Sequence, residues 1–316
     1  LSFVQFIEFT GMFGVTFWLV LLNVSLFYLY DQRSSEKIID SFAIFTFPLI
    51  ISFLLSNNRI ENKEKIIFTI LQPNISIHDK NNNLDNVAMV NKLLDQSIPE
   101  INSGELLIWP ETAFDDYSDS VIIQSRITSE IRNSLLEKNV DLLTGVFEIE
   151  KDKYYNSIYY LNSMNNYSLF QAEKYKKIKM VPGAESVPFS ETFPFLKKIG
   201  LIGNFARGEE YTIFKHKDLI PFAAMVCIES TYPTLSRRMV LEGAEFLVYI
   251  ANDGWYLNPP EAQQHAKQTI FRAIETRKPI LRCGNTGITW VVNSKGEILK
   301  SLVPNKKGIL TSDDIE

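Results

Sequence analysis

Three stretches close an apolar run with a reactive side chain. "LLIWPETAF" presents Glu111, "KYKKIKMVPGAESVPF" offers Lys177 and then Glu185, and "FAAMVCIES" presents Cys227. A thiol, a carboxylate and an ammonium group suffice for acyl transfer through a thioester. A thiol of pKa about 8.5 is mostly protonated at neutral pH, so it needs a base, and Glu111 is the candidate. The tetrahedral intermediate places negative charge on the former carbonyl oxygen, which Lys177 and the backbone N–H of Ile228 are candidates to stabilise. A nearby cation also favours the thiolate. Cysteine yields a thioester, which either an amine or water can attack.

Each stretch also has a plainer reading. A glutamate after a proline is often a solvated turn residue or a helix cap. One lysine among Lys174, Lys176, Lys177 and Lys179 fits a solvated strand face. A cysteine closing an apolar strand is often inert core. The only other cysteine, Cys283 in "LRCGNTG", has no adjacent acid and reads as structural. A disulfide between the two would consume the thiol. His78, His216 and His265 lie far apart, without H-E-x-x-H or C-x-x-C, so no zinc site is expected. His265, on a predicted helix, reads as a packing or surface residue. The chain has no G-x-S-x-G, P-loop or G-x-G-x-x-G motif, which argues against an elbow-type serine hydrolase, a P-loop NTPase and a dinucleotide-dependent dehydrogenase. A formal charge of −5, with no basic cluster interleaved with aromatics, argues against a nucleic-acid partner.

The elements that must position these groups are legible from about Lys65 onward. "KIIFTILQPNI" reads as a buried strand, "LDNVAMVNKLLDQSI" as a helix and "ELLIWPE" as a short strand stopped by Pro110. "SVIIQSRITSEIRNSLLEKN" is an amphipathic helix and "VDLLTGVFEI" a strand. "YYNSIYYLN" and "YSLFQAEKYKKIKMV" look like paired strands. "IPFAAMVCIES" and "EFLVYIANDGW" are strands, each followed by a helix, "TLSRRMVLEGA" and "EAQQHAKQTIFRAIETRK". "PILRCGNTGITWVVNSKGEIL" reads as two strands joined at "SKGE". Strands alternating with helices imply a layered α/β fold, with helices outside and sheets inside.

The first 60 residues differ. Phe9 to Tyr30 carries no charge and is long enough to cross a hydrocarbon core of about 30 Å. After the loop "DQRSSEK", Ser41 to Ser56 is again uncharged but shorter, with Pro48 in its middle and Asn57 and Asn58 available to extend it. The first run is apolar on all faces, as a membrane span is. The expectation is a transmembrane helical hairpin over 1–60 (spans 9–30 and 39–58), followed by a catalytic domain over 65–316. Both flanks carry Lys or Arg, so the positive-inside rule leaves its orientation open. No basic segment precedes the first apolar run, which disfavours a signal peptide.

Glu111, Lys177 and Cys227, in that chain order on successive α/β units, resemble the nitrilase superfamily. The fuller set "IWPET", Y-x-K before "VP", C-x-E, "NDGW" and "RAIETRKPILRCGNTGIT", with the opening "EFTGMFGVTFWLVLLN", resembles the apolipoprotein N-acyltransferase family. The resemblance implies an αββα sandwich after the membrane hairpin. It implies Glu111 as general base, Lys177 as the triad lysine and Cys227 as nucleophile. Glu185 and Glu229 would support them, and Asn252, Asp253 and Trp255 would shape the wall of the site. It implies a phospholipid acyl donor, a lipid-modified lipoprotein acceptor, no metal or organic cofactor, and a place in the bacterial inner membrane with the catalytic domain on the periplasmic side. Two positions depart from the family pattern. Ile228 stands where tyrosine is usual, and "VPGAE" (181–185) stands where "VPFGE" is usual. An amidase of the same superfamily shares the triad and is the alternative reading.

Overall fold

The computed structural model describes residues 2–57, 66–76, 85–116, 121–187, 192, 205–217, 220–255 and 259–312. His78, Asn58 and the "PF" that follows Val187 lie outside them, as does the side chain of Trp255.

Two mixed sheets form the body. The first contains β1 (Phe68–Gln72), β2 (Leu106–Ile108), β3 (Phe114–Asp116), β4 (Asp141–Glu150), β5 (Lys153–Leu161), β6 (Glu173–Lys176) and β13 (Gly308–Thr311). Its order is β13-β1-β2-β4-β5-β6, with β3 paired to β4. The second contains β7 (Phe214–His216), β8 (Ile220–Val226), β9 (Phe246–Ala251), β10 (Ile280–Gly284), β11 (Trp290–Val292) and β12 (Ile298–Ser301). Its order is β12-β11-β10-β9-β8-β7. Strands β1, β2 and β4 run parallel, as do β8, β9 and β10. Each of these strands is buried on both faces, which explains the near-continuous apolar runs "FTIL", "LLI", "FAAMV" and "FLVYIA".

Period-two alternation sorts the first sheet's side chains into two cores. Ile70, Ile108, Leu143 and Ile158 point inward and share a cluster with Ala224, Val248 and Ile250 of the second sheet. Leu71, Leu107 and Leu142 point outward and pack under α4 (Asn86–Ser97) and α5 (Val121–Leu135), against Val90, Leu93, Ile127 and Ile131. Asp85 caps α4, its side chain accepting from the Ala88 N–H at 2.7 Å. On the far side, α6 (Pro233–Leu241) and α7 (Pro259–Thr276) cover the second sheet. The expected helix–sheet–sheet–helix order is the one observed.

The structure differs from the sequence reading in its short strands. β3, β7 and β13 span three or four residues, too few for alternation to register. The segment read as two strands after Pro279 holds three, because "GNTGI" interrupts it before Trp290.

Ahead of the sheets lie α1 (Ile7–Thr10), α2 (Phe13–Gln32) and α3 (Ser35–Asn57). Both α2 and α3 are long and apolar enough to cross a membrane, with most of their side-chain surface uncovered. They meet through a Ser25–Ser41 hydroxyl contact of 2.8 Å and a bond from Trp18 Nε1 to the Ile44 carbonyl at 2.8 Å. Helix α3 continues through Pro48, so it exceeds the uncharged run and starts among Glu36, Lys37 and Asp40. Its 23 residues correspond to about 34 Å at 1.5 Å each.

Candidate active site

The catalytic candidates leave the strands at one end of the two-sheet core. Glu111 follows β2 after Trp109-Pro110, Lys177 follows β6, Cys227 follows β8, and Asn252 follows β9. A parallel sheet gathers its C-terminal strand ends on one edge, which is where α/β folds assemble ligand sites. β6 shares that direction because it lies two antiparallel pairings away from β4.

Glu111 is buried and held on both oxygens. Its Oε1 accepts from Asn156 Nδ2 at 2.8 Å and its Oε2 from the Asn252 backbone N–H at 2.8 Å. Gly145 on β4 permits this placement. A Cβ there would lie 2.6 Å from the Glu111 Cα and 2.8 Å from the Pro110 oxygen. Lys177 is fully buried, 2.7 Å from Glu185 Oε1 and 3.8 Å from Glu111 Oε1. Burial works against its charge, but Glu111, Cys227 and Glu185 outweigh it and hold the ammonium pKa above the ordinary lysine value. The nearest carboxylate to Lys177 is therefore Glu185. Asn156 Nδ2 bridges the two acids, reaching Glu185 Oε1 at 3.2 Å.

Cys227 opens a 3₁₀ turn, Cys227–Thr231, and adopts a left-handed φ of 52°. A non-glycine residue in that region costs of order 1–3 kcal/mol and persists only where its surroundings over-determine it. Glu229 is the main brace. Its Oε2 accepts from the Val226 N–H at 2.8 Å. Its Oε1 accepts from Tyr175 OH at 2.8 Å and from the N–H groups of Ile178 and Lys179 at 2.7 and 2.9 Å. One carboxylate thus ties the Cys227 turn to the segment that carries Lys177. Burial raises the Glu229 pKa, while the Val226 and Lys179 N–H groups pull it back.

The Cys227 side chain is half-buried and free of any disulfide. Burial, and then the Glu111 charge, push its thiol pKa well above the ordinary value, against the pull of Lys177. The resting group is a thiol that needs a base beside it.

Asn252 and Asp253 follow β9, beside Glu111. The Asn252 side chain donates to Thr112 Oγ1 at 3.3 Å and accepts from Asn285 Nδ2 at 3.1 Å. Asp253 is buried between Arg282 Nη2 and His265 Nδ1, at 2.7 and 2.8 Å. Burial would raise its pKa, but Arg282 and His265 hold it below the ordinary carboxylate value. Trp255 closes the 3₁₀ turn Asp253–Trp255. Of the two readings of His265, packing holds and surface does not: it is a buried partner of Asp253. Cys283 is fully buried, its thiol donating to the Leu71 carbonyl at 3.2 Å, in keeping with a structural role.

Several residues of this network were not singled out from the sequence. Asn156 is a polar residue inside the aromatic strand "YYNSIYY", Arg282 is a charge inside the buried strand "ILRCG", and Gly145 interrupts "LLTGVF". Each breaks the pattern of its own strand, which is the signal that marks it.

The chain is 30% identical over 341 residues to an apolipoprotein N-acyltransferase of Chlorobaculum tepidum, covering 98% of this chain and 64% of that protein. It is 28% identical over 312 residues to one from Thermotoga maritima, covering 95% and 55%. The chain thus spans between about half and two thirds of the length of these curated relatives. Among solved structures, an amidase from Nesterenkonia sp. superposes with a TM-score of 0.57 at 16% identity, over 80% of this chain and 92% of that one. Another structure of that enzyme, with a TM-score of 0.58 at 15% identity over 78% and 92%, carries acrylamide added to its active-site cysteine. At such identities the likeness concerns the fold. Residues 69–313 match the carbon-nitrogen hydrolase family, and this chain belongs to it.

Proposed function

We propose that this chain carries the catalytic part of an apolipoprotein N-acyltransferase. Its domains would be a membrane hairpin over 1–60 and a catalytic domain over 65–316. The observation that carries the reading is the joining of two features: a buried Glu111–Lys177–Glu185 cluster around a strained Cys227 turn, and two long apolar helices seated on the same domain. Relatives of similar sequence bear that activity in their names.

Glu111 takes the proton from Cys227 as the sulfur attacks the ester carbonyl of a phospholipid. Lys177 and the Ile228 N–H receive the charge that develops on the carbonyl oxygen. The first N–H groups of a helical turn have no partner within it, so Ile228, directly after Cys227, is suited to that task. When the intermediate collapses, Glu111 returns the proton to the leaving alkoxide, and a lysophospholipid departs. The α-amine of a lipid-modified N-terminal cysteine then attacks the thioester. Glu111 takes the amine proton, and the expelled sulfur recovers it. Glu185, Glu229 and Asn252 position these groups, and the family resemblance gives Asp253 and Trp255 the wall of the site.

Both substrates are lipids, so the site belongs at a bilayer surface. The hairpin meets that need. The start of α2 and the end of α3 both lie against the catalytic domain, through the Met12 N–H on Glu275 and the Ser56 carbonyl on Lys295, and the turn at Arg33 lies at the opposite end. With the catalytic domain on the periplasmic face of the inner membrane, Arg33 and Lys37 fall on the cytoplasmic side; Lys or Arg on both flanks means that the positive-inside rule does not choose this orientation over the reverse.

An amidase reading shares the triad, but it leaves the hairpin without a purpose. The decisive experiment is mass spectrometry of Cys227 after exposure of the chain to phospholipid vesicles, with and without a diacylated lipopeptide. The expected result is an acyl adduct that hydroxylamine releases and that disappears when lipopeptide is added, with an acylated amine as product. An adduct lost to water at the same rate with or without lipopeptide would establish the hydrolase instead.

A further inference from the structure

One buried ion pair lies between the hairpin and the nucleophile turn, outside the triad. Arg272 on α7 is fully buried, and its Nε stands 2.7 Å from Glu275 Oε2. The Arg272 Nη1 donates at 3.3 Å to the carbonyl of Ser230, inside the turn that begins with Cys227. The other Glu275 oxygen, Oε1, accepts at 2.6 Å from the backbone N–H of Met12, the residue that opens α2. Three contacts therefore run without a break from the first turn of an apolar membrane helix to the turn that bears the thiol.

From this path we infer that Arg272 and Glu275 are positioning residues, which set the Cys227 turn according to how the hairpin is seated. Reading Cys227 as the acyl carrier gives the coupling its purpose.

The physical grounds are three. First, a left-handed φ at a cysteine holds only under constraint. Glu229 clamps the turn from the Lys177 side, and Arg272 holds it from the helix side. Second, Arg272 Nη2 has no hydrogen-bond partner among the described residues, so Glu275 and the Ser230 carbonyl are the guanidinium's main support. A buried guanidinium cannot drift from its carboxylate without leaving both charges bare, so the pair moves as a unit. Third, α7 is a rigid connector. About two turns before Arg272, the same helix presents His265 to Asp253. A second anchor, Arg277 with Glu8 at 2.7 Å and Gln5 at 2.6 Å, seats the hairpin without reaching the nucleophile turn. Among the described residues, the path from the hairpin to Ser230 runs through Glu275 and Arg272.

The link can be cut at one atom. Met12 has a φ of −61°, the value a proline ring enforces, so Met12→Pro removes the N–H donor without demanding a new backbone shape. Met12→Ala trims the side chain and keeps the donor. The full chain in phospholipid vesicles is treated with iodoacetamide across a pH series, and Cys227 alkylation is timed by mass spectrometry. Met12→Pro is expected to slow alkylation about tenfold, with a shifted pH profile and retained cooperative unfolding, while Met12→Ala matches the unmodified chain. Equal rates for all three proteins overturn the inference, as does equal slowing in Met12→Pro and Met12→Ala. Should Met12→Pro fail to fold, Glu275→Gln takes its place: it keeps an acceptor for Met12 but not the charge facing Arg272. The same slowing is expected, and an unchanged rate refutes the coupling. Acyl transfer to lipopeptide is measured on the same samples. An unmodified chain that alkylates normally but transfers no acyl group refutes the acyltransferase reading and leaves the alkylation contrast to decide the coupling.

Discussion

Substituting Glu111 by Gln should make Cys227 easier to ionise and harder to acylate. The carboxylate has two effects on the thiol, opposite in sign. Its charge is, after burial, the largest influence raising the Cys227 pKa. Removing one unit charge within a few ångströms of a buried group shifts a pKa by about 1–3 units. The Lys177 charge is freed at the same time. At 3.8 Å and an effective dielectric of about 20, its attraction to Glu111 amounts to about 4 kcal/mol. With Glu185 as its remaining ion-pair partner among the described residues, Lys177 would favour the thiolate further. Iodoacetamide, which needs thiolate and no base, should therefore alkylate Cys227 about 10- to 1,000-fold faster near pH 7. Acylation by phospholipid should fall by about 10²–10⁴, because no group remains to take the proton and return it to the leaving alkoxide. Gln can still accept the Asn252 N–H through its oxygen, so the fold should persist. The two rates are read on one sample by mass spectrometry. If they fall together, or if neither changes, Glu111 is not the base and the electrostatic account of the site is wrong.

Two further predictions follow from the same structure. Gly145→Ala should cost about 1–3 kcal/mol in stability and at least tenfold in acylation, because its Cβ would sit 2.6 Å from the Glu111 Cα and displace the base; urea unfolding and the acylation assay check it, and full activity would show that the close approach is unimportant. Glu148 is buried on β4, and although burial works to raise its pKa, Lys174 together with the Tyr159 and Ser157 hydroxyls outweighs it and holds the group below the ordinary carboxylate value. A depressed carboxylate contributes stability that is complete above its unfolded pKa, near 4.5, and is lost as pH falls through the folded value. The Tm gap between the unmodified chain and Glu148→Gln should therefore be constant from pH 7 to about 5.5 and close below about 4.5. A gap that does not begin to narrow as the pH falls below about 4.5 would remove the ion pair as its cause.

Much of the molecule could be read along the chain because the relevant signals are local. Apolar runs bounded by Gly, Pro and Asn mark the central strands, and uncharged runs of membrane length mark the two long helices. Reactive groups placed directly after strands announced Glu111, Lys177 and Cys227, since a parallel sheet delivers its strand ends to a common edge. The three- and four-residue strands stayed hidden because such short segments form only when a neighbour supplies their hydrogen bonds. β13, for example, exists because β1 offers an open edge.

What the linear order does not contain is distance between elements remote in sequence. That Glu185 rather than Glu111 is the closest acid to Lys177, that Asn156 bridges both, and that Glu229 spans from Val226 to Tyr175 are consequences of how two sheets face each other. The same holds for Arg272 and Glu275. On the sequence they are two polar positions of an amphipathic helix, and only packing makes them the contact between Met12 and Ser230. The chain determines by itself which residues are available for chemistry, because composition and periodicity act over a few residues. Tertiary structure decides which of them share charge and protons, because electrostatic and hydrogen-bond energies depend on separations and burial that exist only once the sheets have packed.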